Sequence, residues 1–481
     1  MLAPSFQRAV ALLLSVSASC TLAQDPFPDT TTCDKTCQAR ALNSSSWISE
    51  QQSDPTFSFY KTPSSFSSKL SPGVVLKTED VTNLDDYVVP SGLTMSRIIY
   101  TTEDIHGKVI PASAYILWPY TPFSAAPGST KTGLPMVAWA HGTTGTFKPC
   151  APSSYRALQY HFQVPFALAL QGIAVVAPDY AGLGLSELPN GDTIPHSWIT
   201  APAHANDVAF AVTAARSAFP DLLSPEGPFV AMGHSQGGGA SWAFAERQAK
   251  KPLKGYKGTV SIAPVTRILD DYAYWTENSI ASPGLLAQSA VVDSISKIYP
   301  NYNYTGFTST GYDRWHNVIA KVEGCFPVLA LATMDLAPSD IVKSGWYKDP
   351  TAKKWAERVA AGRKTFAGPL LVINGADDHV VRPEGIDAAV KDTCALVNKS
   401  GNEESLEHAT FSGMDHFSAI QASQMKWMGW IKSRLSGEAL SNKGCSSELV
   451  EGLRTNDTVH TLGPNFFLSY FDMAESWKYS L

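Results

Sequence analysis

The sequence predicts an α/β fold with a mostly parallel central sheet and an inserted helical segment. Three observations lead there. Short, continuous apolar runs recur along the chain: Pro135–Ala140, Ile173–Ala177, Phe229–Met232, Thr259–Ala263 and Leu370–Ile373. Runs of this kind suit parallel strands buried on both faces. Between them lie stretches with small and apolar residues at helical spacing, such as His204–Phe219, and that alternation argues for helices covering a parallel sheet. From about Arg267 to Phe366 the alternation breaks, and aromatics crowd in: Tyr272, Tyr274, Trp275, Tyr299, Tyr302, Tyr304, Trp315, Trp346 and Trp355. About 100 residues is far more than a crossover needs, so 267–366 is expected to be a helical cap or lid inserted above the site.

The other segments follow in order. Met1–Ala23 has one charge, Arg8, an apolar run Ala9–Leu14, and ends in Thr21-Leu22-Ala23, which reads as a secretory signal peptide. The run is too short to span a bilayer. Residues 24–72 are polar and rich in Ser, Thr and Pro, and are expected to form an irregular N-terminal arm. Met95–Tyr100 and Pro111–Trp118 flank the turn Glu103–Gly107 and predict an antiparallel hairpin, preceded by the β-rich Gly73–Leu76. The core is expected over 73–266 and 367–435, with a C-terminal tail over 436–481 that has no evident role.

Composition narrows the classes. The 481 residues are 44% hydrophobic and 17% charged, enough for a large core and too few charges for disorder. Without the signal, 36 basic residues stand against 43 acidic ones, a net of −7, and nothing points to a nucleic-acid partner. Six cysteines then remain: Cys33, Cys37, Cys150, Cys325, Cys394 and Cys445. An even count in an oxidising compartment favours three disulfides. Fifteen pairings exist, and Cys33–Cys37, Cys150–Cys325 and Cys394–Cys445 are the pairing expected here. The cysteines are scattered, with no C-x-x-C and no H-E-x-x-H, so no metal site is expected. Sequons at Asn43, Asn303, Asn398 and Asn456 agree with a secreted, extracellular glycoprotein.

The chemistry centres on Gly233-His234-Ser235-Gln236-Gly237, a G-x-S-x-G between a strand-length run and a helical stretch. A serine on such a turn is held out at the sheet edge, where its hydroxyl can attack a carbonyl. It needs a histidine to take its proton and a carboxylate to orient that histidine. In chain order, Leu370–Ile373 runs into Asn374-Gly375-Ala376-Asp377-Asp378, and Phe411-Ser412-Gly413-Met414-Asp415-His416 follows. A strand, Gly, two residues and Asp before an apolar pair selects Asp378, with Asp377 as the alternative. His416 follows a glycine turn and is preferred to His408, which sits in a strand-like stretch. His234 is read as a packing residue, and His379 as pointing elsewhere. The oxyanion needs backbone donors: one from Gln236, the other from the loop His141–Gly145, with Thr143 first and Thr144 and Gly145 as rivals.

The ordered set resembles the α/β-hydrolase superfamily. The segments His141–Gly145, Cys150–Ser153, Pro178–Tyr180 and Gly233–Gly238, with the Asp378 and His416 turns, resemble more closely the fungal secretory lipases, the Candida antarctica lipase A-like group. The resemblance covers about residues 70–435. It implies the α/β-hydrolase fold with a cap between the strands ending at Ala263 and Ile373, a Cys150–Cys325 disulfide, and action on carboxylic esters from triacylglycerols to short acyl esters. No cofactor is expected. The expected substrate is a small-molecule or lipid ester, with lipid-interface contact through the cap. The same triad also serves an acyltransferase or tailoring hydrolase acting on a secreted small molecule, and a serine peptidase. A non-catalytic binding module is the rival from a different class.

Overall fold

The computed structural model describes residues 26–124, 133–400, 404–440 and 443–459. The signal segment Met1–Ala23, the tail beyond residue 459 and the Asn398 side chain lie outside the described residues.

Ten strands form one sheet: β1 (Val75–Glu79), β2 (Thr94–Glu103), β3 (Val109–Trp118), β4 (Met136–Ala140), β5 (Ala174–Pro178), β6 (Phe229–His234), β7 (Tyr256–Ile262), β8 (Leu370–Gly375), β9 (Ser405–Phe411) and β10 (Gly444–Val450). Their order is β1-β2-β3-β5-β4-β6-β7-β8-β9-β10. The pairs from β5 across to β10 are parallel, while β1, β2 and β3 add antiparallel pairs at one edge. The β2–β3 hairpin turns through Asp104–Lys108, where Asp104 N donates to Lys108 O. Every residue of β4, β5, β6 and β8 is buried, which is why these strands carry no polar alternation.

Helices cover both faces. One face packs α3 (Ala201–Ala218) and α4 (Gln236–Gln248) against the sheet, through small side chains such as Ala205, Ala209, Val212 and Ala243. The other face packs α2 (Val164–Leu170) and the helix Gln424–Leu435, through Phe166, Leu168, Trp427 and Ile431. Between β7 and β8 lies a run of short helices, including α5 (Ile268–Glu277), α6 (Gln288–Ile298) and Pro350–Val359. Their aromatics Tyr272, Trp275, Trp315, Trp346 and Trp355 share one buried cluster.

The N-terminal arm departs from the irregular course expected of it. It carries the helix α1 (Lys35–Glu50), capped by Asp34, whose carboxylate accepts from Cys37 N at 2.8 Å. Cys37, Gln38, Ala41, Ser44, Trp47 and Ile48 form its buried stripe. That stripe packs on the β7–β8 helices, with Val291, Val328 and Leu329 in the same cluster. Half the stripe is small or polar, so the sequence lacks an apolar periodicity. Arg314, 2% exposed, pins the arm: its guanidinium donates to Thr32 O at 2.9 Å and to Ala332 O at 2.6 Å, and it pairs with Asp335.

The C-terminal segment also differs from expectation. Gly444–Val450 is β10, which extends the sheet past the expected core limit of 435. It is a largely exposed edge strand and needs no apolar run. The six cysteines pair as Cys33–Cys37, Cys150–Cys325 and Cys394–Cys445, and the last ties β10 to the helix Pro383–Ser400.

Removing the Arg314 head group strands the carbonyls of Thr32 and Ala332. Arg314→Ala is expected to lower stability by about 2–3 kcal/mol, read as a shift of the urea midpoint, with limited proteolysis cutting first within 26–50.

Candidate active site

Four loops reach the site from the carboxyl ends of parallel strands: His141–Gly145 after β4, Ser235 after β6, Asp378 after β8 and His416 after β9. This is the end of an open α/β sheet at which ligands bind. Ser235 stands at the turn from β6 into α4 with φ +59° and ψ −119°, a conformation that costs a non-glycine residue about 1–3 kcal/mol. The surroundings hold it there. Ser235 N donates to Ile262 O at 3.0 Å, and Ser235 O accepts from Gly239 N at 3.0 Å. A Cβ on Gly237 would fall 1.9 Å from Ala140 O, so only glycine lets α4 lie this close to the β4 loop.

Asp378 is buried, and its two oxygens divide the work. Oδ1 accepts from Val380 N at 2.8 Å and Val381 N at 2.9 Å, and Oδ2 accepts from His416 Nδ1 at 2.7 Å. This fixes the hydrogen on Nδ1 and leaves Nε2 to take a proton. The His416 turn is held by Asp415, whose Oδ1 accepts from Phe417 N, Ser418 N and Ser418 Oγ. Asp377 is exposed, and His408 on β9 donates from Nε2 to Asn374 Oδ1 on the neighbouring β8 at 2.7 Å. His379 is exposed, and its carbonyl accepts from Ser282 Oγ. The structure therefore brings Asp378 and His416 together and leaves Asp377, His379 and His408 outside.

His234 does more than pack. Its Nε2 donates to His416 O at 2.8 Å, so it props the main chain of the His416 turn. Burial pushes its pKa well below the ordinary histidine value, so it stays neutral, with Nδ1 as an acceptor. Tyr160 donates to that Nδ1 at 2.9 Å and is also hydrogen-bonded to Ser235. Tyr160 lies in the loop 158–163, where Leu158, Tyr160, Phe162 and Gln163 all have φ between +39° and +65°. Its ring crosses Gly142 so closely that a Cβ there would meet the Tyr160 Cζ at 2.0 Å. Sequence reasoning passed over Tyr160, because nothing in Tyr160-His161-Phe162-Gln163 signals left-handed backbone.

The candidate oxyanion residues also meet. Gln236 opens α4, where first-turn N–H groups have no intrahelical acceptor. Thr143 Oγ1 donates to Gln236 Oε1 at 3.3 Å and accepts from Trp198 Nε1 at 3.0 Å. Thr143 lines the cavity over Ser235, whereas Thr144 lies behind it, with its carbonyl accepting from Phe326 N. Gly145 sits against the Cys150–Cys325 disulfide. The cavity is about 70 Å³ and is walled by Thr143, Tyr160, Ser235, Tyr272, Phe326 and His416 among others.

The fold and site define an α/β-hydrolase, and the chain is a serine hydrolase of that class. Residues 158–412, just over half of the chain, match the Hydrolase_4 family, described as "Serine aminopeptidase, S33", and the chain belongs to that family. The match spans Ser235 and Asp378 and stops short of His416. Among solved structures, Candida antarctica lipase A superposes with a TM-score of 0.63 at 15% identity, covering 82% of this chain and 89% of that one. The rice cell wall degrading esterase LipA from Xanthomonas oryzae superposes with a TM-score of 0.54 at 18% identity, covering 76% and 97%. At such identities the likeness is one of fold. No curated protein matches by sequence.

Two outcomes follow from the buried polar groups. Tyr160→Phe leaves His234 Nδ1 buried without its donor, and is expected to cost about 1–3 kcal/mol of stability in urea unfolding. Burial also pushes His141, His161 and His408 down to about 4, and His196 and His234 well below their ordinary value. The unfolded chain therefore binds more protons at these sites from about pH 6.5 downward, and stability is lost through that window as pH falls. Asp179, pushed up to about 6, Glu246, pushed up to about 7, and Asp271, Asp387 and Glu404, all raised by burial, act in the opposite sense, five carboxyls against six histidines once His316, also pushed down by burial, is counted. The urea midpoint is expected to fall between pH 7 and pH 4.5; a rise would contradict this balance.

Proposed function

We propose that this chain is a secreted, lipase-like carboxylester hydrolase that works through an acyl-enzyme on Ser235. The observation that carries the reading is the buried Asp378–His416 pair, 2.7 Å apart, whose His416 lines the same cavity as Ser235 on its strained turn. Ser235 Oγ attacks the acyl carbonyl while His416 Nε2 takes its proton. Asp378 holds the imidazole and stabilises the imidazolium. The N–H groups of Gln236 and Thr143 stabilise the oxyanion, His416 protonates the leaving alcohol, and water cleaves the acyl-enzyme.

Residues 267–366 act in this reading as the cap. The cavity of about 70 Å³ holds about two water molecules, whereas small-molecule sites run to about 300–1,000 Å³. An acyl ester enters only when the β7–β8 helices move. Tyr274, Ile280, Tyr312 and Met334 are exposed apolar side chains on those helices and their connections, and they are the candidates for contact with a lipid interface. Secretion is supported by three disulfides and by the exposure of Asn43, Asn303 and Asn456. Among the described residues no helix is long and apolar enough to cross a membrane.

The family description favours one second reading, a serine aminopeptidase. Such an enzyme must hold a substrate ammonium, and the described residues lining the cavity include no Asp or Glu.

Ser235→Ala is expected to abolish p-nitrophenyl ester hydrolysis and fluorophosphonate labelling while the circular dichroism spectrum is kept. Turnover at the wild-type rate would sink the mechanism. Asp378→Asn is expected to lower kcat by about 10³–10⁴. On an ester panel of rising chain length, a rate jump past the solubility limit means a lipase, and its absence a soluble esterase. Faster cleavage of aminoacyl amides than of esters would select the peptidase.

A further inference from the structure

Behind Gln236 lies a column of four buried rings: His141, Tyr180, His204 and His196. Their centroids are 4.2 Å, 4.3 Å and 5.2 Å apart in that order. None of these four residues lines the cavity over Ser235. Two of them point acceptors at the Gln236 side chain. His196 Nδ1 faces Ala181 O at 3.0 Å, so its hydrogen is on Nδ1 and its Nε2 accepts. His204 Nδ1 makes no hydrogen bond, but the Asp207 carboxylate lies beside it, with Oδ2 at 3.6 Å, and the nearby negative charge favours the hydrogen on Nδ1. Gln236 Nε2 lies 3.1 Å from His204 Nε2 and 3.5 Å from His196 Nε2. Its two hydrogens meet two lone pairs, and the amide has one favourable orientation. With Nε2 committed to the imidazoles, Oε1 is turned toward Thr143 and accepts from its hydroxyl at 3.3 Å.

We propose that His204, assisted by His196, is a positioning residue that sets the spacing of the oxyanion donors by fixing the Gln236 amide against Thr143. This rests on the reading of Ser235 as nucleophile and of Gln236 and Thr143 as the oxyanion donors. The side chain of Gln236 joins the two residues whose main-chain N–H groups must both aim at one developing charge. A flipped amide would turn Oε1 onto the lone pairs of His204 and His196 and lose those bonds, and would contact the Thr143 hydroxyl through Nε2 in place of Oε1. The device is set before substrate arrives, since both imidazoles are already buried and burial keeps His196 neutral. The loop that carries His196 and Trp198 is itself anchored to α6: Lys297 Nζ donates to His196 O at 3.1 Å, and Ser294 Oγ donates to Trp198 O at 2.9 Å.

The test compares His204→Phe, which keeps a stacked ring and removes the acceptor, with His204→Gln, which restores an acceptor at similar reach. Loss of one oxyanion donor costs about 10²–10³ in kcat. A loosened pair is expected to cost about 10- to 100-fold in kcat on a soluble p-nitrophenyl ester, with KM within about twofold. His204→Gln is expected to return kcat to within about threefold of wild type. Gln236→Met keeps the main-chain N–H and removes the amide. It is expected to show the same loss, with no further loss when combined with His204→Phe. If His204→Phe does not fold, Gln236→Met carries the test alone. Fluorophosphonate labelling of Ser235 in each variant separates this inference from the underlying one: labelling that persists but slows supports it, and no labelling of the wild-type protein removes the reading beneath it. Wild-type kcat in a folded His204→Phe or Gln236→Met variant overturns the inference, as does an equal kcat loss in His204→Phe and His204→Gln.

Discussion

The turn at Ser235 is the constraint on which the rest of the site depends. Its left-handed backbone is held because β6 and α4 are both locked in place: β6 between β4 and β7, and α4 against the β4 loop at glycine-only distance. The strain therefore stays at Ser235, because its packed surroundings over-determine the turn. The same packing brings the β4 loop alongside the start of α4, so that Thr143 and Gln236 meet. A sheet whose parallel strands all end on one side then delivers Asp378 and His416 to the same place.

Around that turn, side chains near the reacting groups are held by polar partners as well as by packing. Asp378 spends one oxygen on two main-chain N–H groups and the other on His416. His234 supports the His416 carbonyl and is itself held by Tyr160. Gln236 is held by Thr143 on one side and two imidazoles on the other. Neutral buried histidines recur because an imidazole kept uncharged offers one donor and one acceptor in fixed directions. Preorganisation of this kind lets a hydroxyl nucleophile work with no reorganisation when charge develops.

Much of this was legible in the sequence, for identifiable reasons. β4, β5, β6 and β8 are buried on both faces, so their apolar runs stand out. The Ser235 turn demands glycines, and the proposed acid and base follow in the chain order expected of them. What escaped notice is what burial hides or edges do not require. α1 buries Gln38, Ala41 and Ser44 beside Cys37, Trp47 and Ile48, so small and polar residues interrupt its apolar period. β10 is an edge strand held by a parallel partner and a disulfide, and its sequence is polar. Tyr160, His196 and His204 are far from Ser235 in the chain, and only tertiary packing brings them to its elbow. The choice between Asp378 and Asp377 turns on which side chain faces inward, and that between Thr143 and Thr144 on which residue the loop places at the cavity.

The most direct test of the central claim is the crystal structure of the protein after reaction with a p-nitrophenyl alkylphosphonate, a mimic of the tetrahedral intermediate. The account predicts phosphorus bonded to Ser235 Oγ, with the phosphoryl oxygen about 2.7–3.1 Å from the main-chain nitrogens of both Gln236 and Thr143 and His416 Nε2 facing the ester oxygens. Phosphorus on another residue, or a phosphoryl oxygen turned away from both nitrogens, would contradict it.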